Sequence, residues 1–310
     1  MELKNLITFI HVVELGSFTR AAELLGYSQS TISFQIKQLE DELGCLLFER
    51  INHTITLTER GRDLVSYAHR VRSLTDELRE SVANESDCKG HVHIVTPDSV
   101  CEELLRSHYI DFRCAYPDIA VKFTTADTTD MFDMLDRNEA DAIITLDIRS
   151  KRRDYIVARE KAVPMHFVAS AASRFAGKRR LKIADIASAP FILTEYEQDY
   201  RRVFDKELAK RSLSITPALE IGRTDVISKI VSESEMLAFL PDFVTKPYVD
   251  AGQLCYLDVS DFGVEIWKQL IYHKNKWISR ALRAFLDFVI RVEFDGDGED
   301  NLQGKALQVK

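Results

Sequence analysis

The stretch "GSFTRAAELLGYSQSTISFQIKQLE", Gly16 to Glu40, decides how the first part of this chain folds. Ser17 is placed to cap a short helix whose inner face would be Phe18, Ala21, Ala22, Leu24 and Leu25. Gly26 stands where a tight inter-helix turn needs positive φ, and Ser28 can cap a further helix running to about Leu43, closed by Gly44. Ala22 allows a close crossing and Ile32 anchors the core, which completes a helix-turn-helix arrangement. Upstream, Leu3, Leu6, Ile7, Ile10 and Val13 mark one face of an amphipathic helix over residues 3–15, ended by Gly16.

The helix after Ser28 divides by periodicity. Ile32, Ile36, Leu39 and Leu43 would form the buried stripe, leaving Ser28, Gln29, Ser30, Thr31, Ser33, Phe34 and Lys37 along the N-terminal and outer surface. Hydroxyls and amides suit a DNA major groove: Gln pairs bidentately with adenine, Ser and Thr bond several bases, and a helix N-terminus attracts phosphate. The acids Glu40, Asp41 and Glu42 lie at the far end. On these residues alone, a merely polar face of a small bundle remains an alternative.

Beyond Gly44, Leu47, Phe48, Ile55 and Leu57 bracket the turn-prone "INHT", as in a short hairpin or wing, with Arg50 placed to reach a phosphate. Thr58 then caps a long helix to about Glu85. Its positions Leu64, Ala68, Val71, Thr75, Leu78 and Val82 alternate in steps of four and three, a narrow coiled-coil seam. Such a seam needs a partner, either the chain's own C-terminal part or a second copy. The charged opposite face, with Arg60, Arg62, Arg70, Arg72 and Arg79 among acids, favours the second copy.

Composition sets the bounds. A chain of 310 residues with 45% hydrophobic content can fill two or three domains. No apolar run approaches the roughly 20 residues that span a bilayer, and "MELKNLITFI" lacks a secretory n-region, so a cytoplasmic protein with no membrane partner is expected. The net charge of −8 argues against an extended polyanion-binding surface and confines any nucleic-acid contact to a local patch. Cys45, Cys88, Cys101, Cys114 and Cys255 have no metal-ligand spacing and are expected to be reduced and mostly buried.

"GSFTRAAELLGYSQSTISFQIKQLEDELGCLLFER" followed by "LTERG" resembles the N-terminal region of LysR-type transcriptional regulators, and the length and remainder of the chain fit that family throughout. The likeness rests on the Ala21–Ala22 pair, "SQSTIS", Leu39–Glu40, Leu43–Gly44 and "LFER" at 47–50. Where relatives often carry Arg or His after Ser33, this chain has Phe34, which puts a charged base contact in doubt and suits a thymine methyl.

From Lys89 the pattern changes to strands alternating with helices, which implies parallel βαβ units. Strands are expected at "HVHIVT", "IAVKFTT", "ADAIITL", "AVPMHFVAS", "PFILTE", "ALEIG", "MLAFLP" and "IWKQLIYHK". Helices are expected over 100–114, 129–137, 199–211, 225–232 and 279–292. The resemblance implies a periplasmic-binding-protein-like pair of α/β lobes with an effector between them. The expected division is a winged helix-turn-helix domain (1–58), a linker dimerisation helix (59–88), a regulatory domain (89–294) and a disordered acidic tail (295–310). Within the regulatory domain, lobe I would be 89–160 plus 265–294 and lobe II 161–264.

Ligands of open α/β sheets sit beyond the carboxyl ends of strands. By the resemblance, Ser99 and Thr194 are effector contacts; Thr96, Thr128 and Arg223 lie on the same strand ends. Helix capping explains such hydroxyls equally well. Asp98 and Glu195 would repel a carboxylate effector while Arg223 would attract one, so the effector's charge stays open. Where many relatives have a glycine-rich stretch, Ser232 to Glu235 would stiffen and acidify the rim, and a regulator without a ligand remains an alternative.

His91 and His93 share a strand face but lack a third metal ligand, and no nucleophile-and-base constellation supports an enzyme. No cofactor is expected apart from a small-molecule effector. The resulting expectation is a homodimeric or homotetrameric regulator of double-stranded DNA that contacts RNA polymerase if it activates. An architectural DNA-binding protein and, more remotely, a binding-protein-like enzyme are the alternatives.

Overall fold

A computed structural model of the chain describes residues 1–51, 54–82, 88–196 and 198–295. The tail beyond Asp295 lies outside the described residues. Helices α1 (Leu3–Leu15), α2 (Phe18–Leu25) and α3 (Gln29–Leu43) open the chain. Each stops at a glycine in the left-handed region, Gly16, Gly26 and Gly44, with φ of 58, 67 and 66°. Ser17 Oγ accepts the Arg20 N–H at 3.3 Å, and Ser28 Oγ accepts the Thr31 N–H at 3.1 Å. Both caps stand where the sequence places them.

The buried stripes differ in detail. In α1, Phe9 and Val12 join Leu6 and Ile10 inside, while Leu3, Ile7 and Val13 are only half-buried. Leu24 and Leu43, expected inside, are 61% and 42% exposed because each lies in the last turn of its helix, just before the chain reverses. Polar groups fill part of the seam between α1 and α3 instead. Thr8 Oγ1 donates to Gln35 Oε1 at 2.6 Å, and Asn5 Nδ2 donates to Gln38 Oε1 at 3.2 Å. A search for apolar periodicity passes over such buried pairs.

Strands β1 (Phe48–Ile51) and β2 (Thr54–Leu57) pair antiparallel as the wing, and Phe48 packs against Phe9 and Phe18 at centroid distances of 5.4 and 5.6 Å. Glu40 is more than a terminal acid: its Oε1 accepts the Leu47 N–H at 2.8 Å and so ties the wing to α3. Helix α4 (Glu59–Val82) begins where Thr58 Oγ1 accepts the Gly61 N–H at 2.9 Å. The expected α4 seam splits. Ala68 is buried in the N-terminal core, with Leu64 and Val71 half-buried against it, whereas Tyr67, Leu74 and Leu78 are more than 60% exposed. The Val82 side chain and residues 83–87 lie outside the described residues.

After α4 the chain runs through β3 (Gly90–Thr96), α5 (Asp98–Ser107), α6 (Tyr109–Ala115), β4 (Ile119–Thr125), α7 (Thr128–Asp136) and β5 (Ala142–Asp147). It continues through β6 (Tyr155–Val163), β7 (Met165–Ser170), α8 (Ile183–Ile186), β8 (Ile192–Leu193), α9 (Asp199–Ala209) and β9 (Leu219–Glu220). Then come α10 (Thr224–Ser232), β10 (Ala238–Pro241), α11 (Asp242–Asp250), β11 (Leu254–Leu257), β12 (Ile266–His273), α12 (Arg280–Val289) and a π-helical turn (Ile290–Phe294).

Lobe I holds a sheet in the order β4-β3-β5-β12-β6, parallel where helices cross over and antiparallel where β12 returns from lobe II. Lobe II pairs β10 and β11 antiparallel on either side of β7, with β8 and β9 as a short parallel pair, so its expected all-parallel pattern is corrected. Three sequence assignments also change. The helix over 100–114 breaks at His108 (φ −133°), which lets Phe112 pack on Phe285 and Phe288. The single strand over 162–170 is two strands in different lobes, split at Pro164, which has no N–H to continue a ladder. As a result the chain stays in the lobe I sheet to Val163, past residue 160. Elements α8, α11 and β11 were not expected.

None of the five cysteines forms a disulfide, and only Cys101 is buried; Cys114 is exposed and the others are half-buried, against the expectation of mostly buried thiols. Among the described residues, no helix is long and apolar enough to cross a membrane.

Candidate DNA-reading face and ligand cleft

Two sites emerge, one built from a single helix and one from many segments. On α3, Gln29, Ser30 and Lys37 are exposed, Thr31 and Ser33 are half-buried, and the Phe34 ring is 66% exposed. Ser28 Oγ lies 2.8 Å from both Ser30 Oγ and Thr31 Oγ1, so the cap fixes the hydroxyls at the helix start as well as the backbone. The first turn carries no acid, which leaves the positive end of the helix dipole open to a phosphate. Arg50 lies on β1 opposite Ile55; its side chain is outside the described residues.

The second site is a cleft of about 250 Å³ between lobes I and II. The carboxyl ends of β3, β4 and β5 form one wall, and the segments after β8 and β9 form the other. Ser99, Asp98 and Asp127 line the lobe I side, and Glu195, Gln198 and Gly222 line the lobe II side. Of the residues expected here, Ser99 is in the wall. Thr96 and Thr194 end β3 and β8, 0% and 2% exposed, and their hydroxyls have no hydrogen-bond partner. Thr224, which the strand-end segment "GRTD" also brings here, is alike at 2% exposure. Thr128 opens α7 against Asp147, a carboxyl whose pKa burial raises.

Arg223 is not the free cation that its sequence position suggests. Its Nε and Nη2 donate to the Asp225 carboxylate at 3.0 and 2.8 Å, and Nε lies 3.5 Å from Asp98 on the other lobe. These carboxylates hold its pKa above the ordinary arginine value and that of Asp225 below the ordinary aspartate value. Behind the cleft, buried Arg201 donates to the Thr194 carbonyl and to Asp205 at 2.9 Å, fixing the loop after β8. Asp127, next to the flagged Thr128, was legible as part of a strand-end segment. Gln198 and Tyr200 at the start of α9 carried no signal.

The acidic rim expected from Ser232 to Glu235 lies elsewhere. The cleft wall ends at Gly222, just before α10, whose nine residues at about 1.5 Å each carry Ser232 more than 10 Å along the helix. There Ser170 Oγ, at the end of β7, donates to the Ser232 carbonyl at 3.2 Å. His93 bonds Thr124 at 2.8 Å, and no three potential ligands gather into a metal site among the described residues.

A fold with a capped recognition helix ahead of two α/β lobes and a polar cleft defines a class: DNA-binding regulators with a ligand-binding domain. Comparison with known proteins carries this further. The family model described as a bacterial regulatory helix-turn-helix protein of the lysR family matches residues 3–62, and the LysR substrate binding domain matches residues 86–293. The HTH-type transcriptional regulator YwqM of Bacillus subtilis is 30% identical over 93% of this chain and 98% of its own. The RuBisCO operon transcriptional regulator of Allochromatium vinosum is 26% identical over 94% of this chain and 96% of its own. A full-length OxyR variant from Pseudomonas aeruginosa superposes with a TM-score of 0.73 at 21% identity, covering 94% of this chain and 95% of that one. The chain belongs to the LysR family of transcriptional regulators, and its relatives are regulators by name rather than enzymes.

Proposed function

We propose that this regulator reads a roughly palindromic promoter site as a homodimer or homotetramer, with two copies of α3 in successive major grooves and an effector in the interlobe cleft controlling their spacing. The observation that carries the DNA reading is the outer face of α3. Gln29, Ser30, Ser33, Phe34 and Lys37 present amide, hydroxyl, apolar and cationic groups together, with no carboxylate in the first turn. Gln29 and Ser33 reach base edges, Phe34 meets a thymine methyl, and Ser28, Thr31, Lys37 and Arg50 hold phosphates.

The exposed stripe of Tyr67, Leu74 and Leu78 along α4 fits pairing with a second copy. Ser99 in the cleft wall supports ligand binding, with Thr96, Thr128, Thr194 and Arg223 on the strand ends and helix starts beside it. On this reading the protein acts in the cytoplasm, with RNA polymerase as a further partner if its output is activation. Protection mapping on genomic DNA tests the proposal. Two protected half-sites about one helical turn apart are expected, and uniform protection independent of sequence would favour an architectural protein instead.

A further inference from the structure

The sequence leaves the effector's charge open, because acids and one arginine stand at the same strand ends. Three features of the structure resolve the conflict in one direction. The cleft wall contains Asp98, Asp127 and Glu195 and, among the described residues, no cation. The arginine at its edge is already engaged by Asp225 and Asp98, as shown above. The helix N-termini that would otherwise welcome an anion already carry the chain's own carboxylates: Asp127 Oδ1 accepts the Asp130 N–H at 2.9 Å at the start of α7, and Asp225 occupies the first turn of α10.

Thr96, Thr194 and Thr224 adjoin the wall segments at Pro97, Glu195 and Gly222 along the chain, and their buried hydroxyls have no protein partner, a state that costs free energy. A hydroxyl both donates and accepts, so the sign of the ligand is set by the three carboxylates of the lining. An incoming carboxylate would bring only acceptors to a wall that already has three. The volume of about 250 Å³ lies below the roughly 300–1,000 Å³ of drug-sized pockets, so the ligand is small.

We infer that the cleft selects a small cation, a molecule bearing an ammonium, amidinium or guanidinium group, and that the Arg223 guanidinium stands in for that group on Asp98. This rests on the cleft being the effector site. Because Asp98 and Asp127 belong to lobe I and Glu195 to lobe II, a cation seated among them attracts both lobes at once and takes over the bridge that Arg223 makes. Cation binding is therefore coupled to closure and weakens as salt screens the carboxylates.

The test uses the full-length protein with Gln198→Cys, which puts a thiol in the cleft wall on a tryptic peptide without another cysteine. Its rate of modification is compared for a cationic and an anionic methanethiosulfonate, ethyltrimethylammonium and ethylsulfonate. In each case the thiolate attacks the reagent's sulfenyl sulfur, forming a mixed disulfide and expelling methanesulfinate. With rates normalised to a free thiol in the same buffer, the cationic reagent should react about tenfold faster. The preference should collapse in an Asp127→Asn, Glu195→Gln background. A ratio at or below one overturns the inference. If Gln198→Cys does not fold, Ser99→Cys read by tandem mass spectrometry gives the same ratio. The effector reading fails separately: a DNA footprint unchanged after complete modification at position 198 counts against the cleft as a control site, whatever the ratio.

Discussion

The outward face of α3, proposed to read DNA, and the interlobe cleft use polar side chains in opposite ways. Gln29 and Lys37 extend into solvent from one helix, held by a core of Phe9, Ile32 and Leu39 beneath them. In the cleft, polar groups from both lobes are largely committed to one another, Arg223 to Asp225 and Asp98, and Arg201 to Asp205 and Thr194. A face that binds a ready-made polyanion needs only positioning. A cleft that responds to a ligand needs interactions that the ligand can replace.

The largest loss is expected in the scaffold of lobe I, away from both sites. Lys268, buried in β12, donates to Glu103 at 2.7 Å and to Glu293 at 2.8 Å. Burial works against its charge, but the two carboxylates outweigh burial and hold its pKa above the ordinary lysine value. Lys268→Met strands the buried Glu293 carboxylate and the half-buried Glu103 and should cost about 3–5 kcal/mol. Urea unfolding followed by fluorescence of the C-terminal unit should show the loss, with the N-terminal transition unmoved; an unchanged midpoint would mean that the carboxylates find other partners.

The matching cut under α3 is Ile32→Ala, which removes a fully buried side chain and should destabilise the N-terminal domain by about 2–5 kcal/mol. Its melting and its DNA affinity should fall together. Gln29→Ala separates the two: exposed in the free protein, it should leave melting unchanged and cost about 1–3 kcal/mol of discrimination at one base position. An unchanged binding profile removes Gln29 from direct readout. Ser28→Ala deletes the cap that accepts the Thr31 N–H and should cost about 0.5–2 kcal/mol, recovered in Ser28→Asn, as thermal denaturation would show.

The smallest effect is one of pH in lobe II. His166 lies 3.3 Å from Asp242 and stacks on Tyr256, and burial outweighs the carboxylate to hold its pKa below the ordinary 6.5. The unfolded chain therefore takes up the proton first as pH falls. The contribution to stability is complete above the unfolded value and is lost as pH drops through the folded one. Wild type should lose thermal stability more steeply below pH 6.5 than His166→Gln; parallel curves would assign the loss to other groups.

Much of the N-terminal domain was legible because its signals are local. Ser17, Gly26, Ser28 and Gly44 act within one turn of where they stand, and each does what its residue type dictates. The errors there arise where tertiary partners intervene: Gln35 is buried because Thr8 bonds it, and Leu64 and Ala68 leave the α4 seam because the N-terminal core covers them. In the lobes, strand positions were mostly visible from apolar runs, but Pro164 as the crossing point and the antiparallel β7, β10 and β11 were not, since pairing direction depends on where the chain returns.

The sequence by itself determined the helix-turn-helix, the polar outward face of α3 with Phe34 upon it, and the strand ends that carry Ser99, Thr194 and Arg223. Local backbone preference and side-chain period suffice for these, because each depends on residues within about one helical turn. Only the tertiary structure decided which charges remain available in the cleft. Asp98 and Arg223 are 125 positions apart in the numbering and 3.5 Å apart in space, and no pattern along the chain shows that the one neutralises the other.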